Sequence, residues 1–229
     1  MQIGIIGEGR FGTLWRDMLT EAGLDVRTCD RDEDMAWVSK VDILFLAVPI
    51  SQIGVIATGI RGILKEDTIV ADVGSVKMRP VEDMRAALPE TQPIIGTHPL
   101  FGPDSVRRLG SIGRKIVITK VRQTEEQLES LRDICGRLGL SIIESTPEEH
   151  DEQMARSQTL VHFIGRALLP LGLSEQRIAT PAYQTLLDLV SMVENDTEEL
   201  FLDMQRQNPY AAAVRRQFIR SVHDVQETI

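Results

Sequence analysis

Over the first two thirds of the chain, short runs of consecutive apolar residues alternate with longer segments whose apolar positions recur at helical spacing. The runs are Gln2–Ile6, Asp25–Cys29, Asp42–Val48, Thr68–Asp72, Gln92–Ile95, Lys115–Thr119 and Ser141–Glu144. Runs this short, rich in β-branched residues and nearly continuous in apolar character, are strands buried on both faces. The helix-length segments between them supply the crossovers that a parallel sheet needs. The pattern changes near residue 146. Beyond it only the helical period persists, as in Leu160, Val161, Ile164 and Leu168, and Pro170 with Gly172 marks a stop. Thr146-Pro147 with Glu149, Thr180-Pro181 and Asn208-Pro209 each place a capping side chain before a proline at a first helical position. The expected fold is α/β: a doubly wound parallel sheet over residues 1–146, then a small all-α domain over 147–229. Roughly 80 residues of helix bury their own apolar faces poorly, so this second domain is expected to pair with a second copy as a homodimer.

Composition narrows the class of partner. Of 229 residues, 42% are hydrophobic and 26% charged, which suits a globular chain and excludes a disordered or collagen-like one. A net charge of -9 repels polyanions, and no basic patch offsets it, so neither nucleic acid nor an anionic membrane is an expected partner. The stretch from Ile43 to Ile50 contains Pro49 and falls far short of the ~20 apolar residues of a membrane span. The chain enters its first strand at Gln2 without the regions of a signal peptide, so a cytoplasmic location is expected. Cys29 and Cys135 lie far apart and outside any CxxC spacing; neither a disulfide framework nor a metal site is expected.

The first strand runs into Gly7-Glu8-Gly9-Arg10-Phe11-Gly12, followed by a helical pattern, a second strand and Asp30 at its end. A GxGxxG between strand and helix, with an acid about 20 residues on, is the fingerprint of a Rossmann-like dinucleotide-binding unit. Gly7 permits the tight turn, Gly9 lets backbone N–H groups approach a pyrophosphate, and Gly12 lets helix and strand pack closely. Arg10 and Phe11, at the helix entry, belong to the same cofactor-binding loop, where the helix N-terminus faces the anion. Asp30 can accept hydrogen bonds from both ribose hydroxyls and so favours NAD; Arg31 can accommodate a 2′-phosphate and keeps NADP open. Val48, Pro49 and Ser51 end another strand, where the switch-point rule places the nicotinamide ribose.

Two later strand ends carry unusual polar segments, Asp72-Val73-Gly74-Ser75-Val76-Lys77 and Gly96-Thr97-His98-Pro99-Leu100-Phe101-Gly102-Pro103. Ligands bind outside the carboxyl ends of such strands. His98 is the candidate base, because a neutral imidazole can take a proton near neutral pH. The alternative is a histidine held between turns by Pro99 and Pro103. Ser75 can orient that imidazole or bind the same substrate hydroxyl, or serve only as a turn residue.

These residues resemble the prephenate and arogenate dehydrogenases of tyrosine biosynthesis. The glycine loop, Val-Pro after a strand, Gly-Ser-Val-Lys and His-Pro-Leu-Phe-Gly-Pro carry the likeness. It continues through His150-Asp151, Ala155, Ser157, Leu160 and His162 to Arg177-Ile178-Ala179, and so covers residues from about 1 to 205. The resemblance implies an NAD-dependent oxidative decarboxylation of prephenate, or of arogenate, with His98 as base and Ser75 beside it. It also implies that Arg177 binds a substrate carboxylate, with His162, Ser157 and His150 as further substrate contacts. The chain is short for the family, and Thr180-Pro181-Ala182-Tyr183 offers no tryptophan where relatives often carry one. Two other readings keep the architecture. One is another NAD(P)-dependent hydroxy-acid dehydrogenase, although a lysine-dependent chemistry finds no lysine in 147–229. The other is an NAD(H)-sensing module without turnover.

Overall fold

A computed structural model describes residues 1–30, 33–110 and 112–229. The chain divides into two compact units, Met1–His150 and Asp151–Ile229.

The first unit holds seven strands: β1 (Gln2–Ile6), β2 (Asp25–Cys29), β3 (Ile43–Leu46), β4 (Ile69–Asp72), β5 (Ile94–Pro99), β6 (Lys115–Arg122) and β7 (Ser141–Ser145). They form one sheet in the order β2-β1-β3-β4-β5-β6-β7. Between them run the helices α1 (Arg10–Glu21), α2 (Ile53–Ile60), α3 (Met78–Ala87), α4 (Pro103–Leu109) and α5 (Glu125–Arg137). The inner runs, β1, β3, β4 and β5, form strands whose side chains serve both faces of the sheet, while β2 and β7 at its edges are largely exposed. Ile3, Ile5 and Phe45 pack with Trp15 and Leu19 of α1 and with Leu131 and Ile134 of α5. Ile6, Leu44 and Leu46 face the other way, against Ile53 and Ile60 of α2 and Met84 of α3. The alternation is the period-2 geometry of a strand covered on both sides.

The sheet is mostly parallel, as expected, with one antiparallel pair. β5 and β6 are antiparallel, with Pro99 opposite Ile116 and His98 opposite Val117, so β6 and β7 run against the other five strands. The excursion through α4 brings the chain back to the end of β5 that it left, and no crossover to the far edge takes place. This pairing also lengthens β5. The apolar run stops at Ile95, yet the ladder with β6 carries β5 through Thr97 and His98 to Pro99.

The boundary between units falls within α6 (Pro147–Met154), which leads through a π-helical stretch, Ala155–Thr159, into α7 (Leu160–Leu168). The second unit continues with α8 (Pro181–Val193), α9 (Glu198–Gln207) and α10 (Ala211–Glu227). Thr146 and Thr180 cap as expected: their hydroxyls accept from the backbone N–H of Glu149 at 3.1 Å and of Tyr183 at 3.3 Å. Gly172 stops the turn after α7 in the left-handed conformation. α10 starts at Ala211, after a turn in which the Asn208 side chain accepts from the backbone as a capping residue does. Its Nδ2 donates to the Asp151 carbonyl at 2.8 Å and its Oδ1 accepts from Tyr210 N at 2.9 Å. The π stretch disturbs the regular ladder of backbone bonds. The Thr159 carbonyl at its end is satisfied by Gln205 Nε2 at 2.8 Å, and Gln205 is itself held by Arg215 at 2.6 Å. Among the described residues no helix is long and apolar enough to cross a membrane.

Candidate functional site

Parallel pairing brings the carboxyl ends of β1 to β5 to one edge of the sheet. Ile6 pairs with Leu46, Leu46 with Asp72 and Asp72 with Gly96, so the segments after these residues emerge side by side. Chain direction out of the sheet reverses between β1 and β3, since β1 is followed by β2 on one side while β3 leads to β4 on the other. The crevice at such a switch point is the ligand site of open α/β sheets.

The glycine loop lies there with the expected division of labour. Gly7 has φ +110, and a Cβ on it would sit 2.4 Å from the Ala47 carbonyl. A Cβ on Gly12 would meet the Gly7 carbonyl at 1.9 Å, so the start of α1 packs on the loop only without a side chain. Around Gly9 the space within 4 Å of a Cβ is empty. Gly9 is also the N-cap of α1, with no side-chain cap and no acid in the first turn. The first N–H groups of that helix therefore remain for an anion, and this geometry fits a pyrophosphate. Of the other loop residues, Arg10 pairs with Asp104 of α4 at 2.6 Å. The Phe11 ring stacks on Trp15, centroids 5.9 Å apart, and also packs against Phe101. Phe11 is half-buried, and its ring is partly taken up by the core. Val48 is buried, while Pro49 and Ser51 flank the turn into α2.

At the end of β2 the charge is more negative than Asp30 alone makes it. The Glu8 carboxylate accepts a hydrogen bond from Thr28. Burial pushes the Cys29 thiol up to about 11, and the carboxylates of Glu33, Glu8 and Asp30 add to that shift. Glu8 and Glu33 were not among the residues singled out from the sequence, because only the fold of the strand shows that they share one neighbourhood. Arg31 lies outside the described residues.

His98, in the extended part of β5, is 3% exposed. Its Nδ1 lies 2.8 Å from Nε2 of His150, which is 2% exposed, and the rings meet edge to face with centroids 5.0 Å apart. The His98 pKa is held well below 6.5, by burial first and then by the neighbouring His150 and Lys77. His98 is therefore a neutral imidazole at neutral pH. Ser75 is half-buried and makes no hydrogen bond to the His98 ring among the described residues; His150 occupies that place.

Beneath this pair lies an ion pair that sequence reasoning passed over. Asp72 and Lys77 are fully buried and bonded to each other. Asp72 also accepts from Gly74 N at 2.9 Å, and its backbone carbonyl accepts from the Thr97 hydroxyl at 2.5 Å. Burial pushes the Asp72 carboxyl up from its ordinary value while the Lys77 ammonium pulls it down. The arrangement ties the end of β4 to β5 and leaves a cation near His98. Its signal in the sequence is a lysine embedded between Val76 and Met78, soon after an acid that ends a strand.

The remaining candidates lie in the second unit. His162 on α7 has its Nδ1 3.1 Å from Asp196, and both side chains are mostly buried. Ser157 lies in the π stretch, exposed, with its hydroxyl donating to the Gln153 carbonyl at 2.8 Å. Arg177 lies exposed in the loop between Gly172 and α8, and among the described residues its guanidinium has no hydrogen-bond or ion-pair partner. No group of three or more metal-ligating side chains occurs among the described residues.

Comparison with known proteins agrees with this geometry. Residues 16–144 match the family model of the prephenate dehydrogenase nucleotide-binding domain, and residues 167–229 that of a TYRAAT1-like C-terminal domain. Arogenate dehydrogenase 1, chloroplastic, of Arabidopsis thaliana is 31% identical over 92% of this chain and 36% of its own length. The T-protein of Enterobacter agglomerans is 29% identical over 86% of this chain. This chain spans 36% and 54% of the lengths of those two relatives. The fold is that of the prephenate dehydrogenase from A. aeolicus solved with hydroxyphenyl propionate and NAD+: TM-score 0.78 at 21% identity, covering 99% of this chain and 90% of that one.

Proposed function

From the premise that the chain belongs to the prephenate dehydrogenase family, we propose that it catalyses the NAD-dependent oxidative decarboxylation of prephenate, or of its amino counterpart arogenate. The observation that carries this reading is a buried, neutral His98 at the sheet edge that also holds the glycine loop. NAD+, when bound, supplies the acceptor for the two electrons and the hydrogen that leave C4 of the substrate ring. Everything else falls to the chain. The N–H groups at the start of α1 hold the pyrophosphate, and the carboxylates at the end of β2 select an unphosphorylated ribose, with NADP as the less favoured cofactor. His98 takes the proton of the C4 hydroxyl through its free ring nitrogen, Nε2. Ser75 holds that hydroxyl in line. As the C4–H and O–H bonds break, the ring becomes a dienone, and loss of CO2 from C1 leaves the aromatic product.

Arg177 binds a substrate carboxylate, for which a guanidinium offers two parallel hydrogen bonds. His162, oriented by Asp196, and Ser157 are further polar contacts, whereas His150 is taken up with His98. Residues 1–146 act as the nucleotide domain and 147–229 as the substrate and dimerisation domain. On α10 the exposed Ile219, Val222 and Val225 lie at helical spacing and provide an apolar stripe for a second copy.

The test is the absorbance of reduced nicotinamide after mixing the protein with NAD+ or NADP+ and either prephenate or arogenate. A rise with NAD+ and one of the two substrates is expected. No rise in any of the four mixtures, with NAD+ bound, would sink the reading.

A further inference from the structure

A histidine can act as a base through one ring nitrogen only if the other nitrogen carries the hydrogen. In His98 the outcome is set inside the fold. Its Nδ1 and His150 Nε2 are 2.8 Å apart, in two side chains that are 3% and 2% exposed. Two neutral ring nitrogens at that distance share one hydrogen, so one donates and the other accepts. If His150 donates, His98 keeps its own hydrogen on Nε2 and has no lone pair left for a substrate. If His98 donates, its Nε2 is the open acceptor. The contact joins residues from distant parts of the sequence, the extended end of β5 and α6, with the rings edge to face.

We propose that His150 is a positioning residue: it accepts the Nδ1–H of His98 at Nε2, fixes His98 as the tautomer with a free Nε2, and strengthens that bond when His98 becomes an imidazolium. The inference rests on the proposed role of His98 as base. It assigns His150 the part that an acceptor behind a catalytic histidine plays in hydrolase triads, here performed by a neutral ring. His150 itself must then carry its hydrogen on Nδ1.

The tautomer can be read without turnover. In full-length protein with 15N-labelled imidazoles, the four histidines give separable long-range 1H–15N patterns, and His98 is assigned by its loss in His98→Asn. The expected pattern for His98 is a protonated Nδ1 and an unprotonated Nε2. A protonated Nε2, or a mixture of the two forms, would overturn the proposal. In kinetics, His150→Leu should lower kcat by about 10²-fold, the lower end of what a positioned base contributes, with KM and NAD+ affinity little changed. His150→Gln, whose amide oxygen can accept the same hydrogen, should recover part of that loss and keeps the test available if the leucine variant does not fold. Equal kcat for His150→Leu and wild type would overturn the proposal. A wild-type protein inactive on prephenate and arogenate would count against the substrate reading, and the imidazole spectrum alone would then decide the tautomer.

Discussion

In the first unit the candidate polar groups around His98 are buried and bonded to one another, while in the second the candidates differ: Arg177 and Ser157 are exposed, and His162, paired with Asp196, is mostly buried. His98, His150, Asp72 and Lys77 are each at most 3% exposed, and each has its partner in place. Arg177 stands in a loop without a partner among the described residues. Burial without water fixes geometry and protonation before any ligand arrives, which is what a reacting group requires. An exposed arginine pays for its geometry only on binding, which suits a group that captures an anion and releases it. The difference teaches where effects should fall: changes in the first unit should act on kcat, and changes in the second on KM and on assembly.

The largest expected effect is therefore in the first unit. His98→Asn should lower kcat by roughly 10² to 10⁴-fold, the usual contribution of a positioned base, with NAD+ affinity unchanged. A variant with most of the wild-type rate would remove His98 from the chemistry. Next comes Arg177→Gln, which should raise KM with little change in kcat. Hydrogen bonds to a charged group are worth about 1.5–3 kcal/mol, so the rise should be roughly ten- to a hundred-fold. A loss confined to kcat would break the comparison, because it would place Arg177 among the reacting groups.

The same contrast governs how much could be read from the sequence. Strand positions and the glycine loop were legible because burial on both faces, tight turns and helix entry leave local marks in residue type. The antiparallel β6 was not, since strand direction depends on where the return through α4 leads and not on the composition of the strand. The extension of β5 through His98 follows from that pairing and was hidden with it. Of the candidate groups, His98 stands out by its setting among prolines and glycines, whereas the contact of its ring with His150 leaves no local mark. Nothing local distinguishes a histidine that faces a ligand from one that faces another histidine across the fold. Asp72 and Lys77 sat in a segment noted for its polarity, yet their pairing in the interior depends on the turn through Gly74.

If the second unit assembles through α10, a charge on its apolar stripe should act on association alone. Val222→Asp with Val225→Asp should weaken a dimer by tenfold or more, since each buried valine contributes about 1.5–3 kcal/mol. Sedimentation at several concentrations measures it. An unchanged dimer would move the interface elsewhere on the unit.

Acid should act on the first unit through His98. Above pH 6.5 neither the folded nor the unfolded chain protonates His98; below it the unfolded chain does, while the fold holds His98 neutral. The unfolded state then binds more protons, so stability falls as pH drops below 6.5, by at most about 1.4 kcal/mol per pH unit, until the lowered folded pKa is reached. Thermal unfolding at mildly acidic and neutral pH, compared between wild type and His98→Asn, should show a smaller acid loss in the variant. Equal losses would mean that the imidazole is not held neutral.

The smallest expected effect concerns the choice of cofactor. Asp30→Ser removes the carboxylate proposed to accept from the ribose hydroxyls, and alone it would be expected to admit NADP+. Yet Glu8 and Glu33 act on the same neighbourhood, as their shared influence on Cys29 shows. Two of three negative charges would remain to oppose a 2′-phosphate, and a single exposed charge is worth about 1 kcal/mol in water. The ratio of kcat/KM for NADP+ over NAD+ should therefore rise only about fivefold in Asp30→Ser. Adding Glu8→Gln, which keeps a side-chain oxygen to accept from Thr28, should raise it further. A full reversal of preference by Asp30→Ser alone would mean that the other two carboxylates do not reach the ribose, and that selection rests on one side chain.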